Sequence, residues 1–215
     1  MSHSLNEIGG LCKRAARGAG LPWGLAEEAA NAVRWLCAFD LPGPRLLADR
    51  LERFDGQPLG ELTPLALDGP WRGGSGSLCP LITGATLSDW ARPFEAQQRI
   101  ELHDLRYPLL CCAFVADVAH ALGRRIRIEW AGVSLSMDGG GLVVQGDRGH
   151  LDHDHAERVR CCLVPAGLPL QISSPRIRAS VDPAAWARLA MFAERTYAPA
   201  TEASRRLGAG GADDG

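Results

Sequence analysis

The residues best equipped for chemistry lie in the run Arg195-Thr196-Tyr197-Ala198-Pro199-Ala200-Thr201-Glu202-Ala203-Ser204-Arg205. Two arginines bracket hydroxyls, a carboxylate and one of only two tyrosines in the chain. A guanidinium offers its N–H groups as a planar fork that a carboxylate accepts bidentately. Arg195 and Arg205 are therefore the expected anion-binding pair, with Thr201 and Ser204 orienting the ligand. Glu202 or Tyr197 would act as the catalytic group that handles a proton. A purely local account fits the same residues: Thr201 starts a short helix, Glu202 sits at its positive end, and Arg205 pairs with Glu202. Asp104-Leu105-Arg106-Tyr107-Pro108 is a second polar patch, able to supply another arginine.

Other constellations point to structure. His150-Leu151-Asp152-His153-Asp154-His155 holds three imidazoles and two carboxylates, a set that can ligate a divalent ion. Its spacing is not the H-E-x-x-H that puts two ligands on one helical face, so a polar connection between strands is expected and no metal. Gly73-Gly74-Ser75-Gly76-Ser77 lacks the final glycine of a nucleophile elbow and the lysine of a phosphate loop, and reads as a flexible loop or lid. Asp117 and His120, three apart, share a helix face and form either a dyad or, as expected here, a thin solvent-facing stripe. Of the 23 basic residues, 22 are arginine and only Lys13 is lysine. Lys13 falls beside Cys12 on the first amphipathic helix, away from these polar groups, so lysine chemistry is not expected. The seven cysteines include the adjacent pairs Cys111-Cys112 and Cys161-Cys162, which suit reduced core positions better than disulfides or metal ligation.

The elements that must position these groups are α+β in class. Residues 1–54 read as a helical unit: a capping box at Ser4 and Glu7, a second helix opened by Pro22, and a third carrying Leu47, Leu51 and Phe54. Residues 55–93 lack strong periodicity and read as a long loop region, with a short strand expected within Leu78 to Trp90. Residues 94–207 read as the α+β core. Leu109 to Leu122 is the most apolar helix and should be central. Period-two alternation through Ile126-Ile128-Trp130, Val133-Leu135-Met137 and Leu142-Val143-Val144 predicts a three-stranded antiparallel meander packed on that helix. A fourth strand is expected at Arg158 to Val164 and a fifth at Ile177 to Val181. Asp182-Pro183 opens a C-terminal helix, and residues 208–215 read as a disordered tail on a single domain spanning 1–207.

A net charge of -2 and a pI near 6.3 argue against a nucleic-acid protein, whose affinity is carried mostly by clustered basic residues. The longest near-apolar run is far short of the ~20 residues of a membrane span, and no leader pattern opens the chain, so a cytoplasmic protein is expected. No cofactor is indicated by any motif. The segment Ala15-Ala16-Arg17-Gly18-Ala19-Gly20-Leu21-Pro22-Trp23-Gly24-Leu25-Ala26-Glu27-Glu28-Ala29, with the run Arg195 to Arg205, resembles a proteobacterial family catalogued only as a domain of unknown function. The resemblance implies one full-length domain and directs interest to the two end motifs over the His-rich loop. Two functions follow as expectations. One is a metabolic enzyme, or a subunit of one, binding a small carboxylate-bearing metabolite. The other is a non-catalytic accessory or assembly protein whose N-terminal helices, with Trp23 and Trp35, dock on a partner enzyme.

Overall fold

The computed structural model describes residues 2–74, 76–138, 140–165 and 176–197. Strand β1 (Ser2–Ser4) leads into α1 (Leu5–Gly18), whose N-terminus carries the expected capping box. Glu7 accepts from the Ser4 backbone N–H at 2.7 Å, and Ser4 Oγ accepts from the Glu7 N–H at 3.2 Å. Helices α2 (Trp23–Ala38) and α3 (Gly43–Arg53) follow, each preceded by proline at its N-cap. Helix α2 packs on α1 and buries Ala26, Ala29 and Ala30, small side chains that let a neighbouring helix approach closely.

Residues 55–93 depart from the expected loop. Leu59–Leu62 form a 3-10 turn, and Pro80–Asp89 and Ala91–Gln97 form helices α4 and α5. The stretch expected to hold a strand is thus helical. Pro80 in the first turn of α4 is the local signal, since it presets a helical φ where no N–H partner is needed. Upstream, Trp71 is completely buried and its backbone bridges β2 (Arg99–Arg106): its N–H donates to Glu101 O at 2.8 Å, and its carbonyl accepts from the His103 N–H at 2.9 Å. The segment is pinned along the sheet edge.

Helix α6 (Pro108–Leu122) is buried along most of its length between the sheet and helices α2 and α4. Asp117 and His120 are exposed, as a solvent-facing stripe would be, and no hydrogen bond joins them. Strands β3 (Arg125–Trp130), β4 (Val133–Met137) and β5 (Leu142–Gly146) form the expected meander. Strand β6 (His155–Val164) inserts between β2 and β3, giving an antiparallel five-stranded sheet in the order β2-β6-β3-β4-β5. The expected fifth strand forms as β7 (Arg178–Ser180), but it pairs with β1 in a separate two-stranded ribbon. Helix α7 (Pro183–Glu194) then starts at Asp182, whose carboxylate accepts from the N–H groups of Ala184 and Ala185. All seven cysteines are free, and only Cys162 is less than fully buried. Burial pushes the Cys37 and Cys111 thiols up to about 12, which leaves them as inert core hydrophobes. Arg50, also buried, donates from Nε and Nη2 to Cys79 Sγ at 3.3 and 3.0 Å.

The sheet's inner face packs on α6, and its outer face is charged. On its edge strand β2, Glu101 is hydrogen-bonded by His103 Nε2 at 2.7 Å and Arg99 at 2.9 Å and is ion-paired with Arg158 Nε at 3.2 Å. The His103 hydrogen bond, with the neighbouring guanidiniums, holds the Glu101 carboxyl down at about 2. A carboxyl depressed on folding stabilises the protein above its unfolded value near 4.5, and that contribution is lost as pH falls toward 2. Urea midpoints measured from pH 6 to pH 2 should therefore fall less steeply in Glu101→Gln than in the parent. Parallel curves would remove Glu101 from the acid response.

Candidate functional site

The first end motif meets the first described residues of the second, Arg195 and Thr196. Helix α1 ends against the end of α7, and the cleft beside this junction has a volume of about 630 Å³. Lys13, Arg14, Arg17 and Arg195 line it, with Trp23 and Thr196. The three α1 cations follow from helical spacing, since residues 13, 14 and 17 fall on one face. Gly18 makes the junction possible: a Cβ there would lie 1.7 Å from the Phe192 carbonyl oxygen. Gly20, with φ +87°, turns the chain toward α2 in a backbone conformation that glycine adopts without strain.

The cations differ in how far they are neutralised. Lys13 pairs with Glu27 and lies 5.6 Å from the Trp23 ring centre. Arg195 Nη1 donates to both oxygens of Asp55 at 2.9 Å, and its guanidinium lies 4.3 Å from the Phe192 ring centre. Arg17 donates to the Leu21 carbonyl and sits 4.6 Å from the ring centre of Trp23, a cation–π contact. Arg14 has no ion-pair partner among the described residues. Two positive charges, on Arg14 and Arg17, thus remain without a carboxylate. Trp23 is 64% exposed, so a large apolar ring forms one wall of a positively charged cleft.

Of the residues read from the sequence as a site, Arg195 lines this cleft, already paired with Asp55. Tyr197, the next residue but one, is 65% exposed and its hydroxyl has no partner among the described residues. Thr201, Glu202, Ser204 and Arg205 lie outside the described residues. The expectation that Lys13 stands apart from the polar groups is corrected: it is part of the cleft wall. Its partners Glu27 and Trp23 come from α2, and the cleft's other wall comes from the end of α7, which no local pattern reveals. Arg14 and Arg17 were equally missed, although their helical register with Lys13 was there to be read.

The His-rich run divides between a 3-10 turn at Arg148–Asp152 and the start of β6. The rings of His150 and His153 lie 4.6 Å apart, while His155 Nε2 turns away to Asp104 at 3.3 Å. No metal-ligand cluster occurs among the described residues, and the run connects strands.

Residues 3–73 match the family model described as "Protein of unknown function (DUF3726)". The match takes in the first of the two end motifs and stops well short of the second. No curated protein matches the sequence. Among solved structures, the chain is similar to the sulfolactate dehydrogenase from Methanocaldococcus jannaschii, with 11% identity and a TM-score of 0.47, over 78% of this chain and 64% of that one. No helix among the described residues is long and apolar enough to cross a membrane.

Proposed function

We propose that this protein binds a small carboxylate-bearing metabolite in the cleft between α1 and the end of α7, as a metabolic enzyme or a subunit of one. The observation that carries this reading is the pair of uncompensated guanidiniums, Arg14 and Arg17, beside the exposed Trp23. Two positive charges suit a dicarboxylate better than a monoanion. The ligand's carbon skeleton lies on the Trp23 ring. Arg195 is held by Asp55 and contributes from the rim, and Thr201, Ser204 and Arg205, outside the described residues, are the further anion-binding groups of this reading. Tyr197 or Glu202 handles a proton. An anion displacing solvent from this cleft also relieves the mutual repulsion of the α1 cations, which strengthens binding at low ionic strength.

The test uses succinate, citrate and acetate in thermal-shift and calorimetric titrations at low salt. A ligand at one hundred times its dissociation constant adds about 2.7 kcal/mol to stability. The expected result is saturable stabilisation by succinate or citrate, weaker with acetate, and a loss of at least tenfold in affinity in the Arg14→Gln/Arg17→Gln variant. Equal affinity in parent and variant would place the ligand elsewhere and sink the reading.

A second reading, a non-catalytic accessory protein docking through its N-terminal helices, draws on the exposure of Trp23 alone, because Trp35 is half-buried against Phe39. It predicts a stoichiometric partner whose binding is broken by Trp23→Ala while no carboxylate stabilises the isolated chain.

A further inference from the structure

The outer face of the five-stranded sheet carries a second concentration of arginine, remote in sequence from the cleft residues. Strand pairing arranges it in rows. Glu101 of β2 lies opposite Arg160 of β6, which lies opposite Glu129 of β3, then Ser134 of β4 and Gln145 of β5. The adjacent row sets Arg99 and Arg127 on either side of Cys162. Arg158, opposite His103, stands two residues from Arg160 on the same strand and the same face. Four arginines here share two carboxylates, so the face keeps an excess of positive charge.

That excess borders a groove of about 500 Å³, lined by Glu129, Gly132, Ser134, Gln145, Arg158 and Arg160. Arg158, with 54% of its side chain exposed, comes nearest to Glu101 with its Nε at 3.2 Å and lines the groove. Arg160 reaches Glu101 and Glu129 only at 3.6 and 3.7 Å, and its buried Nε has no hydrogen-bond partner. Glu101 therefore orients the guanidiniums without saturating them. The groove volume falls in the range that encloses a small ligand.

We propose that this groove binds a phosphorylated small molecule, its phosphate bridging Arg158 and Arg160 and its neutral polar part lying over Ser134 and Gln145. Residues two apart on a strand are separated by about 6.5 Å, so the two planar forks approach an anion from different directions. A tetrahedral phosphate offers oxygens to both forks, whereas the two coplanar oxygens of a carboxylate satisfy one. Ser134 and Gln145, directly opposite each other across β4 and β5, supply a hydroxyl and an amide that donate to and accept from sugar-like hydroxyls. This site does not depend on the carboxylate cleft, and the two are told apart by their variants.

The experiment is calorimetric titration with inorganic phosphate and pyrophosphate at low and moderate salt, with acetate as the charge control. Saturable binding of pyrophosphate or phosphate is expected, with any weaker acetate binding confined to the cleft and lost in Arg14→Gln/Arg17→Gln. Affinity should fall at least tenfold in Arg158→Gln and in Arg160→Gln, and several-fold in Arg158→Lys, which keeps the charge but loses the fork. It should be unchanged in Arg14→Gln/Arg17→Gln. Circular dichroism that superimposes on the parent establishes that each variant is folded; the lysine variant carries the test if a glutamine variant is not. The proposal is overturned if neither phosphate nor pyrophosphate binds saturably. It is equally overturned if binding survives the Arg158 and Arg160 changes, or if the cleft variant abolishes it.

Discussion

Gly18→Ala should lower the stability of this protein by about 3 kcal/mol, the upper part of the range for forcing a group into packed space. On an ordinary helix the same change is favourable by up to about 1 kcal/mol, because alanine loses less backbone entropy than glycine. The sign of the effect therefore reports the contact. The new methyl would sit 1.7 Å from the Phe192 carbonyl oxygen and 2.7 Å from its carbon, and no rotamer change relieves a clash with backbone. Helices α1 and α7 must separate, and Arg195 is carried away from Arg14 and Arg17 as they do. Gly24→Ala is the matched control: it lies in the first turn of α2 with nothing within 4 Å of an added Cβ, and should be neutral or slightly stabilising. Thermal and urea denaturation of both variants check this. A Gly18→Ala protein as stable as the parent would mean that α1 and α7 do not meet as described.

Trp71→Ala should cost about 3–5 kcal/mol, the range for truncating a fully buried aromatic side chain. Trp71 is among the largest fully buried side chains, and its indole Nε1 donates to Leu67 O at 3.2 Å. Its loss opens a cavity under β2 and frees the segment between α3 and α4. Limited proteolysis should then cut between residues 55 and 79, where the parent is protected. A mobile lid would behave in the opposite way: the parent would already be cut there and the substitution would be nearly neutral. Since β2 also carries Glu101, pyrophosphate affinity on the outer face of the sheet should weaken along with stability.

The helices and the meander were legible because their signals are local. Ser4 and Glu7 cap each other within one turn, Pro108 and Gly123 bound α6, and strict alternation from Ile126 to Met137 shows which side of each strand is buried. The segment 55–93 was not legible because its order comes from distant contacts. Trp71 is held by β2, and α4 is held by α6, so its glycines and prolines looked like a loop when read alone. The strand at Arg178–Ser180 was expected, but not its place, because pairing with Ser2–Ser4 joins opposite ends of the chain.

The candidate cleft divides in the same way. The sequence by itself determined that the basic chemistry of this protein is almost wholly arginine's, and it pointed to the two end motifs as the segments of interest. Helical geometry then required Lys13, Arg14 and Arg17 to share a face of α1. Only the tertiary structure decided that this face meets Arg195, that Asp55 already holds Arg195, and that Arg14 and Arg17 are left without a carboxylate. The physical reason is range. Capping and periodicity act within a few residues, whereas neutralising a charge depends on whichever groups packing brings within about 4 Å, regardless of their separation along the chain.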